Sequence, residues 1–137
     1  MRELTIEDAR TVLAAQPFSR LLGARLVEFR RGFSVLEVPQ RVDHAQQHGF
    51  VHGGVIAYAA DNVAAFAAGT VLGPSVVTAQ LEIDFRRPAT SGLRAEGEVI
   101  DHDDRGAECR CRVLDANGTV CATATALVRL TRPNRRT

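Results

Sequence analysis

The stretch Val55-Ile56-Ala57-Tyr58-Ala59-Ala60-Asp61-Asn62-Val63-Ala64-Ala65-Phe66-Ala67-Ala68-Gly69-Thr70-Val71 is apolar almost all the way round, broken only at Tyr58, Asp61, Asn62, Gly69 and Thr70. A helix with that pattern is buried on most of its faces. The polar interruptions, with an acid near the middle, argue against a membrane span, so the covering layer is expected to come from the chain itself. Downstream, the period changes to two. From Ser75 a long strand ending at Pro88 is predicted, with Val77, Ala79, Leu81, Ile83 and Phe85 on one face and Gln80, Glu82, Asp84 and Arg86 on the other. Three further strands are predicted over Leu93–Asp101, Ala107–Leu114 and Thr119–Leu130, the last two joined by Asp115-Ala116-Asn117-Gly118, whose Asn-Gly step favours a hairpin because both residues accept positive φ.

Upstream of the helix, Ala24–Arg31 and Phe33–Pro39 are rich in strand formers and separated by Gly32, which predicts another hairpin. Thr5 followed by Asp8 has the spacing of a helix start, giving a short helix to about Gln16, followed by a turn at Pro17. Sequential strands with short connections form antiparallel sheets. The economical packing is an α+β domain in which a curved antiparallel sheet of about five to six strands wraps one long helix. A single domain over residues 1–137 accounts for the chain, with the Arg132-Pro133-Asn134-Arg135-Arg136 tail expected to be disordered.

Composition narrows the chemistry. A formal net charge of +1 supplies no global field for nucleic acid or a membrane surface, so neither is expected as a partner. All 17 basic residues are arginine, which removes Schiff-base and general-base lysine mechanisms. Cys109 and Cys111 share a strand face and are expected to be reduced thiols packed as small hydrophobes. No second Cys or His pair has metal-ligand spacing, so no metal is expected. The opening Met1-Arg2-Glu3-Leu4-Thr5 lacks the charge and apolar order of a secretory signal, giving a cytoplasmic expectation.

The chemistry concentrates in Gln46-Gln47-His48-Gly49-Phe50-Val51-His52-Gly53-Gly54 and in Asp61. Glycines at a helix start allow close approach to a ligand, and the free N–H groups there suit an oxyanion. For a bare His-Gly-Gly, a plain loop-to-helix turn is the favoured reading. Asp61 lies among Ala59, Ala60, Val63, Ala64 and Ala65, where burial of a carboxylate costs free energy that Ala or Leu avoids, and such groups are often retained for function. Seven helical residues separate Gly54 from Asp61 by roughly 10 Å, further than an Asp side chain returns. If one site needs both groups, a second subunit must supply one, which predicts a homo-oligomer with interface sites, either a dimer or a dimer of dimers.

Gly49 through Val51-His52-Gly53-Gly54 to Asp61, together with Phe85-Arg86-Arg87-Pro88-Ala89, resembles the PaaI-type hot-dog acyl-CoA thioesterases; Pro17-Phe18 and Leu22-Gly23 extend the likeness over roughly Pro17 to Leu130. The resemblance implies a hot-dog fold, an acyl-CoA substrate and no cofactor beyond the coenzyme A carried by that substrate. It implies Asp61 as nucleophile or general base, the Gly53 amide as the group polarising the thioester carbonyl, and His52 as an orienting or assisting residue. Thr78 occupies a position where a Ser or Thr often positions water or the carboxylate. Gln46 stands where the family commonly has Asn. Gly54, Arg86 and Arg87 are candidates for substrate binding, the arginines for the CoA phosphates. A non-catalytic acyl-CoA-binding module is the alternative from another class, and a hydratase would need a His–acid pair acting on a β-carbon.

Overall fold

The computed structural model describes residues 3–131; the basic tail lies outside them. A capping box opens helix α1 (Ile6–Ala14): the Asp8 N–H donates to Thr5 Oγ1 at 3.2 Å and the Thr5 N–H donates back to Asp8 Oδ2 at 2.9 Å. Pro17 is not a plain turn. It begins a second short helix, α2 (Pro17–Leu22), because proline at a first helical position gives up an N–H that would have had no partner. Gly23, at φ 74, ends that helix in the left-handed region.

Strands β1 (Arg25–Arg30) and β2 (Phe33–Val38) form the first hairpin. A short 3-10 turn (Val42–His44) and a loop lead into helix α3 (Gly53–Leu72), followed by β3 (Val76–Phe85), β4 (Leu93–His102), β5 (Gly106–Leu114) and β6 (Val120–Leu130). The six strands make one antiparallel sheet in the order β1-β2-β4-β5-β6-β3, and α3 packs against all six. Among the described residues α3 is the helix long and apolar enough to cross a membrane; here it is the rod around which the sheet curls. Ala59, Ala60, Val63, Ala64, Ala67 and Ala68 are all fully buried against it.

Small side chains on α3 let sheet and helix backbones approach. One such close approach is at Gly97 on β4: a Cβ built there would lie 3.0 Å from the Val63 carbonyl oxygen and 3.2 Å from its carbon. The same carbonyl accepts a hydrogen bond from the buried Ser34 hydroxyl on β2 at 2.8 Å. Near the helix end, Thr70 Oγ1 accepts the Gly32 N–H at 2.7 Å and so ties the β1–β2 turn to α3. Together these contacts fix the rotation and depth of the helix, and hence where Asp61 points.

Two sequence expectations are corrected in detail. The alternation along β3 is broken by a bulge between Thr78 and Gln80, where the register against β6 slips by one residue. Val76 and Thr78 therefore share the helix-facing side with Leu81 and Ile83, while Val77 is 52% exposed on the other face. In the Asp115–Gly118 turn only Gly118 has positive φ, at 80, and Asp115 Oδ1 accepts the N–H groups of Asn117 and Thr119, both at 2.9 Å. The turn is closed by an Asx-type contact and one left-handed glycine.

Cys109, Cys111 and Cys121 are free and buried. Burial pushes the Cys109 thiol up to about 11, the Glu108 charge adding to it, and the Cys111 thiol up to about 12. Two outcomes follow from this packing. Gly97→Ala drives a methyl into the Val63 carbonyl and is expected to cost about 1–3 kcal/mol, read by urea denaturation. The unfolded chain releases thiol protons near the ordinary value of 9.0 while the folded one retains them. Their contribution to stability is present below about pH 9 and lost as pH climbs towards the folded values, which a pH series of melts in wild type and Cys111→Ala would register.

Candidate active site

The loop before α3 is built by backbone pairing. Ala45 and Val51 form an antiparallel bridge, the Gln46 N–H donates to the Phe50 carbonyl at 2.8 Å, and the His52 N–H donates to the His44 carbonyl at 2.7 Å. His44, unremarked in the sequence, anchors this loop: it is 4% exposed, with Nδ1 3.0 Å from the Pro39 carbonyl oxygen and no hydrogen-bond partner for Nε2 among the described residues.

His52 is the N-cap of α3. Its Nδ1 accepts the Gly54 N–H at 2.8 Å, an arrangement that satisfies one of the helix-start donors and holds the imidazole over the first turn. Gly54 is therefore engaged within the protomer and is not a free donor to substrate. The Gly53 N–H, by contrast, has no acceptor among the described residues. The Phe85 ring lies beside it, 3.5 Å from where a Gly53 Cβ would stand. An unpaired N–H at the positive end of a 20-residue helix, bordered by an aromatic ring, is a donor for developing negative charge.

Asp61 is partly buried in the protomer rather than sunk in the apolar core. Its Oδ1 accepts a hydrogen bond from Thr78 Oγ1 at 2.6 Å, and its Oδ2 has no partner among the described residues. The inward position of Thr78, which period-two alternation alone would leave open, is the direct result of the β3 bulge. One carboxylate oxygen is thus fixed and the other is left for a substrate or a water.

Gln46 is turned onto its own loop: its side-chain oxygen accepts the His48 N–H at 2.5 Å. That leaves its amide N–H groups as the part able to meet a ligand. Arg86 and Arg87 are exposed at the end of β3, where both N–H groups donate to the Cys121 carbonyl; Arg86 Nε also donates to Thr123 Oγ1 at 3.0 Å. The structure thus brings together Asp61 with Thr78, and His52 with Gly53 and Gly54, but leaves these two groups eight residues apart on one helix, about 12 Å along its axis.

A further polar cluster flanks Asp61. Asn62 Nδ2 donates to Tyr58 Oη at 3.0 Å and to Gln16 Oε1 at 3.1 Å, Ser19 Oγ donates to Gln16 Oε1 at 2.6 Å, and Tyr58 Oη lies 2.6 Å from Ser19 Oγ. With the Ser19 proton given to Gln16, the Tyr58 hydroxyl donates to Ser19. Burial raises the Tyr58 phenol above its ordinary 10.0, opposed by its hydrogen bonds with Ser19 and Asn62 and aided by the nearby Asp61 charge, so the ring keeps its proton. Gln16 and Ser19 gave no separate signal in the sequence; only the Pro17-Phe18 segment between them did.

Comparison with known proteins decides the family. The model of the thioesterase superfamily matches residues 48–122, more than half of the chain, and covers the loop from His48 onward, α3, Asp61 and Thr78, with Gln46 outside it. The chain belongs to the thioesterase superfamily. This thioesterase is 32% identical to a thioesterase-superfamily protein of known X-ray structure, covering 92% of this chain and 97% of the other at a TM-score of 0.85. It is 29% identical over 112 residues to an esterase-named protein of Saccharolobus solfataricus, covering 80% of each. The PaaI protein of E. coli, from the phenylacetic acid degradation operon, matches at a TM-score of 0.83 over 93% of each chain, and at 18% identity it shows the shared hot-dog fold alone. Thioester hydrolysis is the general chemistry these matches support for the thioesterase.

Thr78→Val removes a charge-assisted hydrogen bond of about 1.5–3 kcal/mol. It is expected to lower thioester turnover roughly tenfold or more with little change in KM, while Thr78→Ser retains most of the rate. Steady-state assay of released thiol separates the two.

Proposed function

We propose that the protein is an acyl-CoA thioesterase that works as a symmetric oligomer, with Asp61 of one protomer and the Gly53 N–H of its partner completing each site. The observation that carries this reading is the pairing of two half-satisfied groups, a carboxylate with one free oxygen and a helix-start N–H with no acceptor, too far apart to serve one substrate within a protomer. A two-fold axis that sets two α3 helices antiparallel brings each carboxylate to the other helix start. The ten-residue strand β3 supports such an assembly, since it is a sheet edge with unpaired backbone groups and an exposed Val77. Phe18, Phe50 and Phe85 are exposed large apolar groups near the same elements.

In this arrangement the thioester carbonyl oxygen accepts the Gly53 N–H, which stabilises negative charge as it develops. Asp61 either attacks the carbonyl carbon to give a mixed anhydride, expelling CoA thiolate, after which water hydrolyses the anhydride to free acid and restores the carboxylate, or removes a proton from an attacking water, whose tetrahedral adduct collapses by breaking the C–S bond and expelling CoA thiolate. Thr78 holds the carboxylate oriented for either route, and His52 holds the first turn of α3. Gln46 offers its amide N–H to the substrate or the lytic water. Arg87, with Arg86 beside it on the sheet edge, meets the CoA phosphates. No metal or other cofactor is required by these steps, and the protein is read as cytoplasmic, where acyl-CoA is made and consumed.

The decisive experiment uses the helix-start geometry. Gly53 is the first residue of α3 and His52 has φ −59 and ψ 136, a backbone compatible with a following proline. Gly53→Pro thus deletes the N–H without breaking the helix and is expected to lower acyl-CoA hydrolysis by about 10²–10³-fold; Asp61→Asn is expected to abolish it. One homomer is strongly impaired and the other inactive, yet co-expressed Gly53→Pro and Asp61→Asn chains regain activity in their heterodimer, which contains one intact site. Failure to complement, or a monomer by light scattering, overturns the interface site. If wild type binds acyl-CoA and releases no thiol, the non-catalytic binding module replaces the enzyme.

A further inference from the structure

Gly69 is buried in the middle of the last stretch of α3, where glycine weakens a helix by about 1 kcal/mol relative to alanine. Elsewhere a buried glycine of this chain is explained by crowding, as at Gly97; at Gly69 a Cβ would meet no other atom within 4 Å among the described residues, its own helix backbone aside. The open space beside Gly69 belongs to a pocket of about 110 Å³ between α1, α3, β1 and β3, which Gly69 helps to line. Its wall includes Asn62 and Ala65 on α3 and Val76 on β3. Asn62 adjoins Asp61, Ala65 lies one helical turn beyond it, and Val76 is the next helix-facing residue before Thr78, so close neighbours of the Asp61–Thr78 pair form one end of the void, although the pair itself does not line it. Phe29 and Phe66, packed edge to face with centroids 6.5 Å apart, line it further in, and Val12 of α1 borders it.

We propose that this cavity receives the acyl group of the substrate and that Gly69 sets its size. The proposal rests on the acyl-CoA site built around Asp61 and adds the substrate class. An apolar protein cavity of about 150 Å³ holds benzene; at about 110 Å³ and open on one side, this one suits a short straight acyl chain of roughly four to six carbons better than a ring or a long fatty acyl chain. The lining is apolar apart from Asp8, Gln16 and Asn62, which suits an uncharged acyl body.

The test is a preference ratio. Wild type is expected to favour hexanoyl-CoA over both acetyl-CoA and palmitoyl-CoA in kcat/KM. Gly69→Leu fills the void, and the hexanoyl-to-acetyl ratio is expected to fall at least tenfold; Gly69→Ala, a milder filling that also favours the helix, lowers it less and raises the melting temperature. An unchanged ratio in both variants, or a wild-type preference for palmitoyl-CoA, overturns the slot while leaving the hydrolase reading intact. Calorimetric binding of hexyl-CoA and methyl-CoA thioethers, which cannot be hydrolysed, gives a readout without turnover. A hexyl preference that Gly69→Leu abolishes, in a protein that releases no thiol, supports the slot and defeats the hydrolase; no hexyl preference in wild type defeats the slot.

Discussion

The arrangement depends on how closely the sheet grips one apolar helix. Backbone-to-backbone approach at Gly97 and Val63, reinforced by the Ser34 hydroxyl on the same carbonyl, holds α3 at a depth that alanine-rich faces permit and larger side chains would not. Every chemical feature is referred to that axis: the helix start presents Gly53, its second and third turns present Tyr58 and Asp61, and its later turns border the void at Gly69. A helix free to rotate would keep its burial but scatter these groups.

Within that frame the polar groups divide their bonding capacity unequally. His52 consumes the Gly54 N–H and leaves Gly53 open; Thr78 consumes one oxygen of Asp61 and leaves the other open. Both groups lie at the partly exposed side of the helix, so the capacity left open is accessible to a ligand or a second protomer rather than sealed in the interior. The Tyr58–Ser19–Gln16–Asn62 cluster is the contrast, a nearly closed set of hydrogen bonds that fastens α2 to α3 and keeps the ground beside Asp61 rigid. Outside, the sheet carries Arg and Glu side chains in ion pairs such as Arg112–Glu96 at 2.8 Å and Arg94–Glu96 at 3.0 Å, which give a water-compatible face and little stability each.

Much of this was legible along the chain. The all-round apolar pattern of Val55–Val71 required a covering layer, and the period-two runs after it supplied one, so the wrapped-helix architecture followed from burial alone. The capping pair Thr5 and Asp8 and the strands of the last hairpin were equally local signals. Pro17 was misleading because proline marks both a turn and a first helical residue, and the difference lies in what the next five residues pack against. Gly118 but not Asn117 took positive φ, since Asp115 closed the turn by side-chain bonds that a dipeptide rule does not contain.

The sequence by itself determined the fold class, the superfamily motif and the axial distance between the glycine turn and Asp61, because each is fixed by hydrophobic period, local residue chemistry or helix rise. Tertiary structure decided which groups meet. A one-residue slip between β3 and β6 turns Thr78 inward to Asp61, and it depends on pairing between segments some fifty residues apart, where no local propensity specifies register. The same holds for Gly69, whose significance is the empty volume opposite it, a property of neighbours brought from four elements rather than of the residue itself.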